Sequence, residues 1–347
     1  MIMRCFKMMR CVVYFLLSSW LALPLGFAQT NKTGLAQTNK TGLAQANPLV
    51  SLVFAGDSTL DDDAGELIAK GGDPFADFES FFAKADIRIT NLECVVSTKG
   101  TAGDKMFTFR AHPRVIPVLK KHFDAVALAN NHSGDFGPEA FADMLQLLKK
   151  GGLPQVGGGM NLKEAHAPLI FERKGLRIAV LSYNEFQPRS FEAGHNLPGV
   201  AWSEDQQVVA DILAARTVHK ADLVIPIMHW GWENELKGNP RQWQLAKLMI
   251  DSGADAVIGG HPHVTQDVGL YKGKPILFSV GNFVMKETDN DNQRKAWVVK
   301  LEMDKQGVRS FFGQPIVIDM KGIPKMARKT SGPCWQRGAK SVGQCRF

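Results

Sequence analysis

The 347-residue sequence lacks the motifs that mark the commonest enzyme classes. There is no P-loop and no G-x-S-x-G nucleophile elbow, and the Gly157-Gly158-Gly159 run has no strand–helix setting for a dinucleotide turn. The longest apolar stretch is the 15 residues of 11–25, short of the roughly 20 that a membrane-spanning helix needs, so a polytopic membrane protein is excluded. Acid is missing from the last 27 residues, where Lys321, Lys325, Arg328, Lys329, Arg337, Lys340 and Arg346 have no counter-charge. Arg4, Lys7 and Arg10 make ten cations at the two ends against a net charge of +7, which leaves residues 11–320 at −3. The body is mildly acidic, so the basic balance belongs to the ends, and no nucleic-acid partner is expected. What remains is ordinary for a globular protein. Residues are 45% hydrophobic and 22% charged, enough apolar material for one large α/β core.

The N-terminus reads as a secretory leader. Its three cations precede the apolar stretch, and Gly26-Phe27-Ala28 puts small residues at the −3 and −1 positions of a cut after Ala28. Residues 1–28 are therefore expected as a signal peptide, and the protein as exported, periplasmic or extracellular. The alternative is an uncleaved leader that tethers the chain to a membrane. The unit AQTNKTGL then occurs at 28–35 and again at 36–43. It is too polar to offset its ordering entropy, so 29–48 is expected as a linker. A domain is expected over 49–320, and 321–347 as a basic tail, either disordered or in contact with an anionic partner. With Cys5 and Cys11 in the leader, Cys94, Cys334 and Cys345 remain. The last two suit a disulfide in an oxidising compartment. Cys94, beside Glu93, reads either as a thiolate ligand or as a small buried residue.

From residue 49, apolar runs of strand length alternate with helical stretches. Strands are expected at 49–56, 86–93, 124–129, 221–229 and 254–260, with helices at 75–85, 113–122, 138–150, 203–219 and 240–252. A hairpin over 168–183 turns at Lys174-Gly175, and the last third is strand-rich. Helices between strands predict parallel βαβ units, and the closing hairpins a second, more antiparallel sheet. The expectation is α/β, a layered sandwich.

Polar residues gather where these strands stop. Asp57 ends the first, Asn91 and Glu93 the second, Asn130-Asn131-His132 the third, and His229 the next; His261-Pro262-His263 and Asn282 end two later ones. Carboxyl ends of parallel strands share one edge of a sheet, where crevices form. Asp57, Glu93, Asn131, His229, His261 and His263 can therefore converge as carboxylate, amide and imidazole ligands for a divalent ion. His112, His122, His166, His195 and His219 lack such company and read as structural or surface residues.

The motifs GDSTL, NLECVVS, ANNHSGDFG, MHWGWENE, GGHPHVTQ and FSVGNF, in that order, resemble the CapA family of capsule and poly-γ-glutamate synthesis proteins, itself similar to the calcineurin-like metallophosphoesterases. The resemblance implies an α/β/β/α sandwich and one or two divalent ions, Mn or Zn first and Fe third. It places Asp57, Glu93 and His263 on one metal and Glu93, Asn131, His229 and His261 on the other, with His132 contacting the leaving group. Two departures stand out. Thr59 occupies the position of a ligating His, for which Asp61, Asp62 and Asp63 either compensate or form a solvated loop, and Glu93 replaces a bridging Asp. Asn91, Asn130, Trp230 and Asn282 are candidates for substrate contact. Trp230 and Trp232 beside His229 suit either an aromatic wall or plain packing, with Glu233 and Glu235 after them, and Arg110 either an anion contact or a solvated side chain.

The implied function is an exported, metal-dependent hydrolase of the phosphoesterase type in envelope or capsular polymer metabolism. Its partners would be a phosphoester or anionic polymer of the envelope, or a capsule-synthesis complex at the membrane. The alternative is a non-catalytic, metal-assisted component that binds or exports an anionic polymer.

Overall fold

The computed structural model describes residues 48–343 apart from 188, 287–288 and 328–331. The leader, the linker to residue 47 and Cys345 lie outside the described residues.

Alternation along the strands builds the layers. In Val50–Ser58, Leu52 and Phe54 face one way and Val53 and Ala55 the other, all fully buried. A strand buried on both faces must be covered on both. One cover is a second sheet: Leu52, Phe54, Ile87 and Ile89 share a core with Ile178, Val180, Leu223, Ile225 and Ile227. The other is a helical layer, in which Val53 packs with Ile68, Leu119, Phe141 and Met144.

The first sheet runs from Pro324–Met326 through Gly307–Ile318, Lys295–Asp304, Val50–Ser58, Ile87–Leu92 and Ala125–Ala127 to Gln155–Val156, with Asn282–Val284 also paired to Val50–Ser58. The second runs Val268–Tyr271, Lys274–Leu277, Val257–Gly260, Leu223–His229, Leu176–Asn184, Leu169–Arg173. Helices Asp62–Ala69, Val115–His122 and Gly137–Lys150 cover the first outer face, and Asp205–Thr217 and Pro240–Ser252 the second. This is the layered α/β/β/α sandwich that the sequence reading expects. Strands 50–58, 87–92 and 125–127 are parallel, as are 176–184, 223–229 and 257–260. Each sheet thus delivers its strand ends to one edge. The hairpin turns at Lys174-Gly175 as expected. Helix Pro240–Ser252 falls where expected and is held by a capping box, with Asn239 and Gln242 reciprocally bonded and Pro240 in the first turn.

Three local expectations are corrected. The stretch 75–85 is a short 3₁₀ turn, Ala76–Phe78, followed by Glu79–Phe82. Phe75, Phe78 and Phe82 surround Phe283 at centroid distances of 5.7, 5.0 and 6.1 Å, so aromatic packing overrides a regular helix. The acidic run is no solvated loop: Asp61 stands at the N-cap of Asp62–Ala69, and Asp62 and Asp63 fill the first turn, where the helix dipole favours acids. The domain also runs past residue 320. Pro324–Met326 and Trp335–Gln336 pair with Gly307–Ile318, the buried Trp335 stacks on Phe311, and Arg337 binds Asp304 at 2.7 Å. Burying Trp335 gives this stretch of the basic tail a reason to order. Cys334 is disulfide-bonded.

Candidate metal centre

The six expected ligands meet where the two sheets' strand ends face each other. Asp57 and Glu93 come from the first sheet, His229 and His261 from the second, and all four are nearly or wholly inaccessible to solvent. The approach is close enough to dictate sequence. A Cβ on Gly260 would lie 2.4 Å from Asp57 Oδ1, and one on Gly259 would lie 2.0 Å from the Phe278 carbonyl oxygen, so neither position tolerates a side chain. His261 and His263 hold φ of 92° and 58°, a region unfavourable for a non-glycine residue. The His261 N–H donates to Asp57 Oδ2 at 2.9 Å and helps hold that backbone.

Around His229 Nε2, Asn131 Oδ1 lies at 2.7 Å, His261 Nδ1 at 3.1 Å and Glu93 Oε1 at 3.4 Å. Ligands about 2.1 Å from a shared ion stand roughly 3–3.5 Å apart, so these spacings match the edges of one coordination shell. They are the four residues expected on the second metal. The first set is looser: His263 Nδ1 is 3.9 Å from Asp57 Oδ2, and its Nε2 is 4.0 Å from Glu93 Oε1. Glu93 belongs to both of the ligand groups that geometry picks out, Asp57–Glu93–His229 and Glu93–His261–His263. Those groups exchange His229 and His263 relative to the expected sets.

Electrostatics points the same way. Burial, aided by Asp57, pushes Glu93 up to about 8. Burial pushes His229 down to about 3 and His261 well below the usual histidine range. Burial opposes charge on His263 as well, but Glu93, Asp57 and Asn282 outweigh it and hold that residue above its ordinary value. Two imidazoles that burial keeps neutral face each other with nitrogens 3.1 Å apart, and Glu93 Oε1 and His261 Nε2 are buried without a hydrogen-bond partner among the described residues. Buried polar groups are nearly always satisfied. Orphaned donors of this chemistry fit a divalent cation, which would reverse the local preference against charge.

The supporting residues are tightly tied. Asn91 Nδ2 donates to Asp57 Oδ1 at 2.8 Å, and its Oδ1 accepts from Asn130 Nδ2 at 2.9 Å. Asn130 Oδ1 accepts from the His132 N–H at 3.1 Å. Asn282 Oδ1 accepts from His263 Nδ1 at 2.8 Å. Asn91, Asn130 and Asn282 are buried and brace ligands, a role different from the substrate contact expected of them. His132 Nδ1 donates to Asp135 Oδ2 at 2.7 Å, and its ring packs on Phe109 at 4.4 Å.

Trp230 is not brought to the site. It is fully buried, bonded through Nε1 to the Phe278 carbonyl at 2.8 Å, because the residue after an inward-facing strand end points into the outer helical core. Trp232 is the exposed aromatic, set edge-on to Phe186, which lies 3.8 Å from the His261 ring. Thr59 turns away and bonds the Val284 carbonyl, Asp63 pairs with Lys286 at 2.8 Å, and Arg110 lies over the Phe136 ring. Cys94 is buried, and burial lifts its thiol far above the thiolate range, which selects the apolar reading. The sequence reading missed Asp135, Phe186 and Lys105. Asp135 stood three residues after His132 within ANNHSGDFG; the other two had no local signal.

Known proteins share this architecture. A family model described as bacterial capsule synthesis protein PGA_cap matches residues 51–287. The PGA biosynthesis protein CapA of Bacillus subtilis is 32% identical over 267 residues, which cover 76% of this chain and 69% of that protein. The capsule biosynthesis protein CapA of Bacillus anthracis is 34% identical over 187 residues, 53% of this chain and 46% of that one. The chain therefore spans about two thirds of one relative's length and under half of the other's. A solved structure of a hypothetical protein from Thermus thermophilus matches with a TM-score of 0.50 at 16% identity, over 77% of this chain and 98% of that one, a likeness of fold. The match over 51–287 takes in Asp57, Glu93, Asn131, His229, His261 and His263, and the chain belongs to the bacterial capsule synthesis family PGA_cap.

Proposed function

We propose that this protein is an exported, metal-dependent hydrolase of the phosphoesterase type that acts on a phosphoester of the envelope or capsular polymer. The observation that carries the reading is the shell of Glu93, Asn131, His229 and His261 with its orphaned atoms. Asp57 and His263 are the residues for a second ion. A divalent ion held there would lower the pKa of a bound water and offset charge developing on a phosphoryl oxygen. The protein's own contribution is orientation. Asp135 fixes the His132 imidazole through Nδ1, so that a protonated ring would present its Nε2–H to a leaving oxygen. Phe186 packs on the His261 ring and Trp232 packs edge-on to Phe186; together they would limit water on that side. Export is supported by the leader and by the disulfide at Cys334, a bond suited to oxidising compartments.

The second reading is a non-catalytic component that holds an anionic polymer. It is favoured by the names of both Bacillus relatives, which speak of biosynthesis. One experiment separates the two. Metal is quantified by mass spectrometry on wild type, Glu93→Gln and His229→Ala, and hydrolysis of a generic phosphodiester and of poly-γ-glutamate is followed with Mn²⁺ or Zn²⁺. Metal near one or two equivalents, with turnover abolished in both variants, is expected. Metal without turnover on either substrate would favour the binding role, and absence of metal would overturn the site.

A further inference from the structure

Lys105 lies on the irregular stretch 97–109, whose tip exposes Met106 and Phe107. That stretch is tied to the site chiefly through Asp135. The Gly103 N–H donates to the Asp135 carbonyl at 2.8 Å, the Phe109 N–H to Asp135 Oδ2 at 2.8 Å, and the Lys105 ammonium to Asp135 Oδ1. Lys105 Nζ also donates to the Asn131 carbonyl oxygen at 2.9 Å. Two of its three hydrogens are thus placed, one on the backbone of an expected ligand and one on the carboxylate that orients His132. The third has no partner among the described residues, and the side chain keeps 28% of its exposure. An ammonium fixed at two points loses little entropy on making a third bond, which is the condition for a selective contact.

Its surroundings make this charge informative. The groups lining the centre are carboxylates, amides and imidazoles, and Lys105 sets an ammonium beside the backbone of Asn131. Arg110 is committed to the Phe136 ring, and Arg241 to Glu185 and Asp205. Among the described residues, Lys105 is thus a cation placed beside Asn131 and His132, where a non-bridging oxygen of a phosphoryl group would meet its third hydrogen. A phosphodiester carries one negative charge, whereas a terminal phosphate carries a second.

We infer that Lys105 is a specificity-determining residue that reads the second negative charge of a terminal phosphate, so that phosphomonoesters are preferred over diesters. The inference rests on the hydrolase reading and deepens it. The test uses full-length wild type, Lys105→Met and Lys105→Arg, matched for metal content and melting temperature. Each is assayed on p-nitrophenyl phosphate and bis-(p-nitrophenyl) phosphate, and inorganic phosphate binding is measured by calorimetry with Mn²⁺ present. Loss of a charge-assisted hydrogen bond predicts a KM for the monoester about tenfold higher or more in Lys105→Met. The diester KM should change by less than about threefold, with most of the loss recovered in Lys105→Arg. Equal effects on the two esters, or a fall in kcat with KM unchanged, would show that Lys105 merely props Asp135 and would overturn the inference. If wild type hydrolyses neither ester, the hydrolase reading fails by itself. Calorimetry then decides: phosphate binding weakened in Lys105→Met upholds the contact, and unchanged binding overturns it.

Discussion

Two clusters of buried histidine sit in one molecule and behave oppositely. In the outer layer of the second sheet, His166 Nδ1 and the Tyr183 hydroxyl both donate to Asp211 Oδ2, at 2.7 and 3.0 Å, and Gln207 Nε2 donates to Oδ1 at 2.7 Å. One carboxylate receives three donors, and the cluster closes on itself. At the strand ends, Glu93, His229 and His261 are at least as deeply buried, yet the His229 and His261 ring nitrogens crowd to 3.1 Å, and Glu93 Oε1 and His261 Nε2 have no hydrogen-bond partner among the described residues. The first arrangement is complete as protein; the second is of a kind that a cation would complete. His122, bound to Asp73 at 2.7 Å, repeats the first kind. Burial of histidine is thus no sign of a site, whereas convergence of unsatisfied polar atoms is.

The contrast can be broken by exchanging which cluster is damaged. Removing a ligand should cost more than loss of an outer bracing residue, so Glu93→Gln and His229→Ala should each weaken metal binding by more than about 100-fold. Folding of metal-free Glu93→Gln should hold or improve, because its Oε1 is buried without a partner among the described residues, whereas His229→Ala should lose stability by leaving a cavity and Asn131 Oδ1 without its partner. Metal titration and urea unfolding of the same samples check both halves. His166→Ala should do the reverse. It strips a partner from the buried Asp211 and should destabilise by about 2 kcal/mol, with metal content unchanged. If His166→Ala also emptied the metal centre, the two clusters would be coupled and the distinction would fail.

Proton linkage sharpens it further. In metal-free protein Glu93 titrates near 8 against an ordinary 4.5, and His229 near 3 against 6.5. Between pH 6.5 and 8 His229 is neutral whether folded or not, while Glu93 holds a proton only when folded. Raising pH through that window should therefore weaken folding of stripped protein, by at most roughly tenfold in the equilibrium constant per pH unit. Below 6.5 the unfolded chain takes up a proton at His229 that the folded state refuses. Stability from that residue then falls with pH, partly offset by Glu93 down to about 4.5. Metal-loaded protein should not share the alkaline loss, since ligands bind metal better as protons leave. Equal stability of stripped protein at pH 6.5 and 8 would contradict the assignment. The smallest effect belongs to Trp232→Ala. The side chain is 62% exposed, so unfolding free energy should stay within about 0.5 kcal/mol. Steady-state kinetics then shows whether the rim matters to substrate.

Much of the site was legible because strand ends are legible. Asp57, Glu93, His229 and His261 each follow an apolar run, and parallel topology does the rest. The bracing asparagines were found too, but their role was not. Asn91 and Asn130 look like any polar residue in a string, and only the packed structure shows that their atoms are used up on Asp57 and on each other. Trp230 and Trp232 invert in the same way. Both flank His229, and strand alternation sends the nearer one into the core. The helix at Asp62–Ala69 was hidden by its own cap, because three successive acids read equally well as a loop and as a helix start.

By itself the sequence determined the fold class, the family and which carboxylate, amide and imidazole residues gather at the strand ends, since hydrophobic period and residue type at strand ends are local properties. Tertiary structure decided the rest: the looser set around Asp57 and His263, the burial of Trp230, and the anchoring of Lys105 on Asp135 and Asn131. These depend on where two sheets place atoms tens of residues apart to within an ångström or so, and no periodicity in the chain encodes that distance.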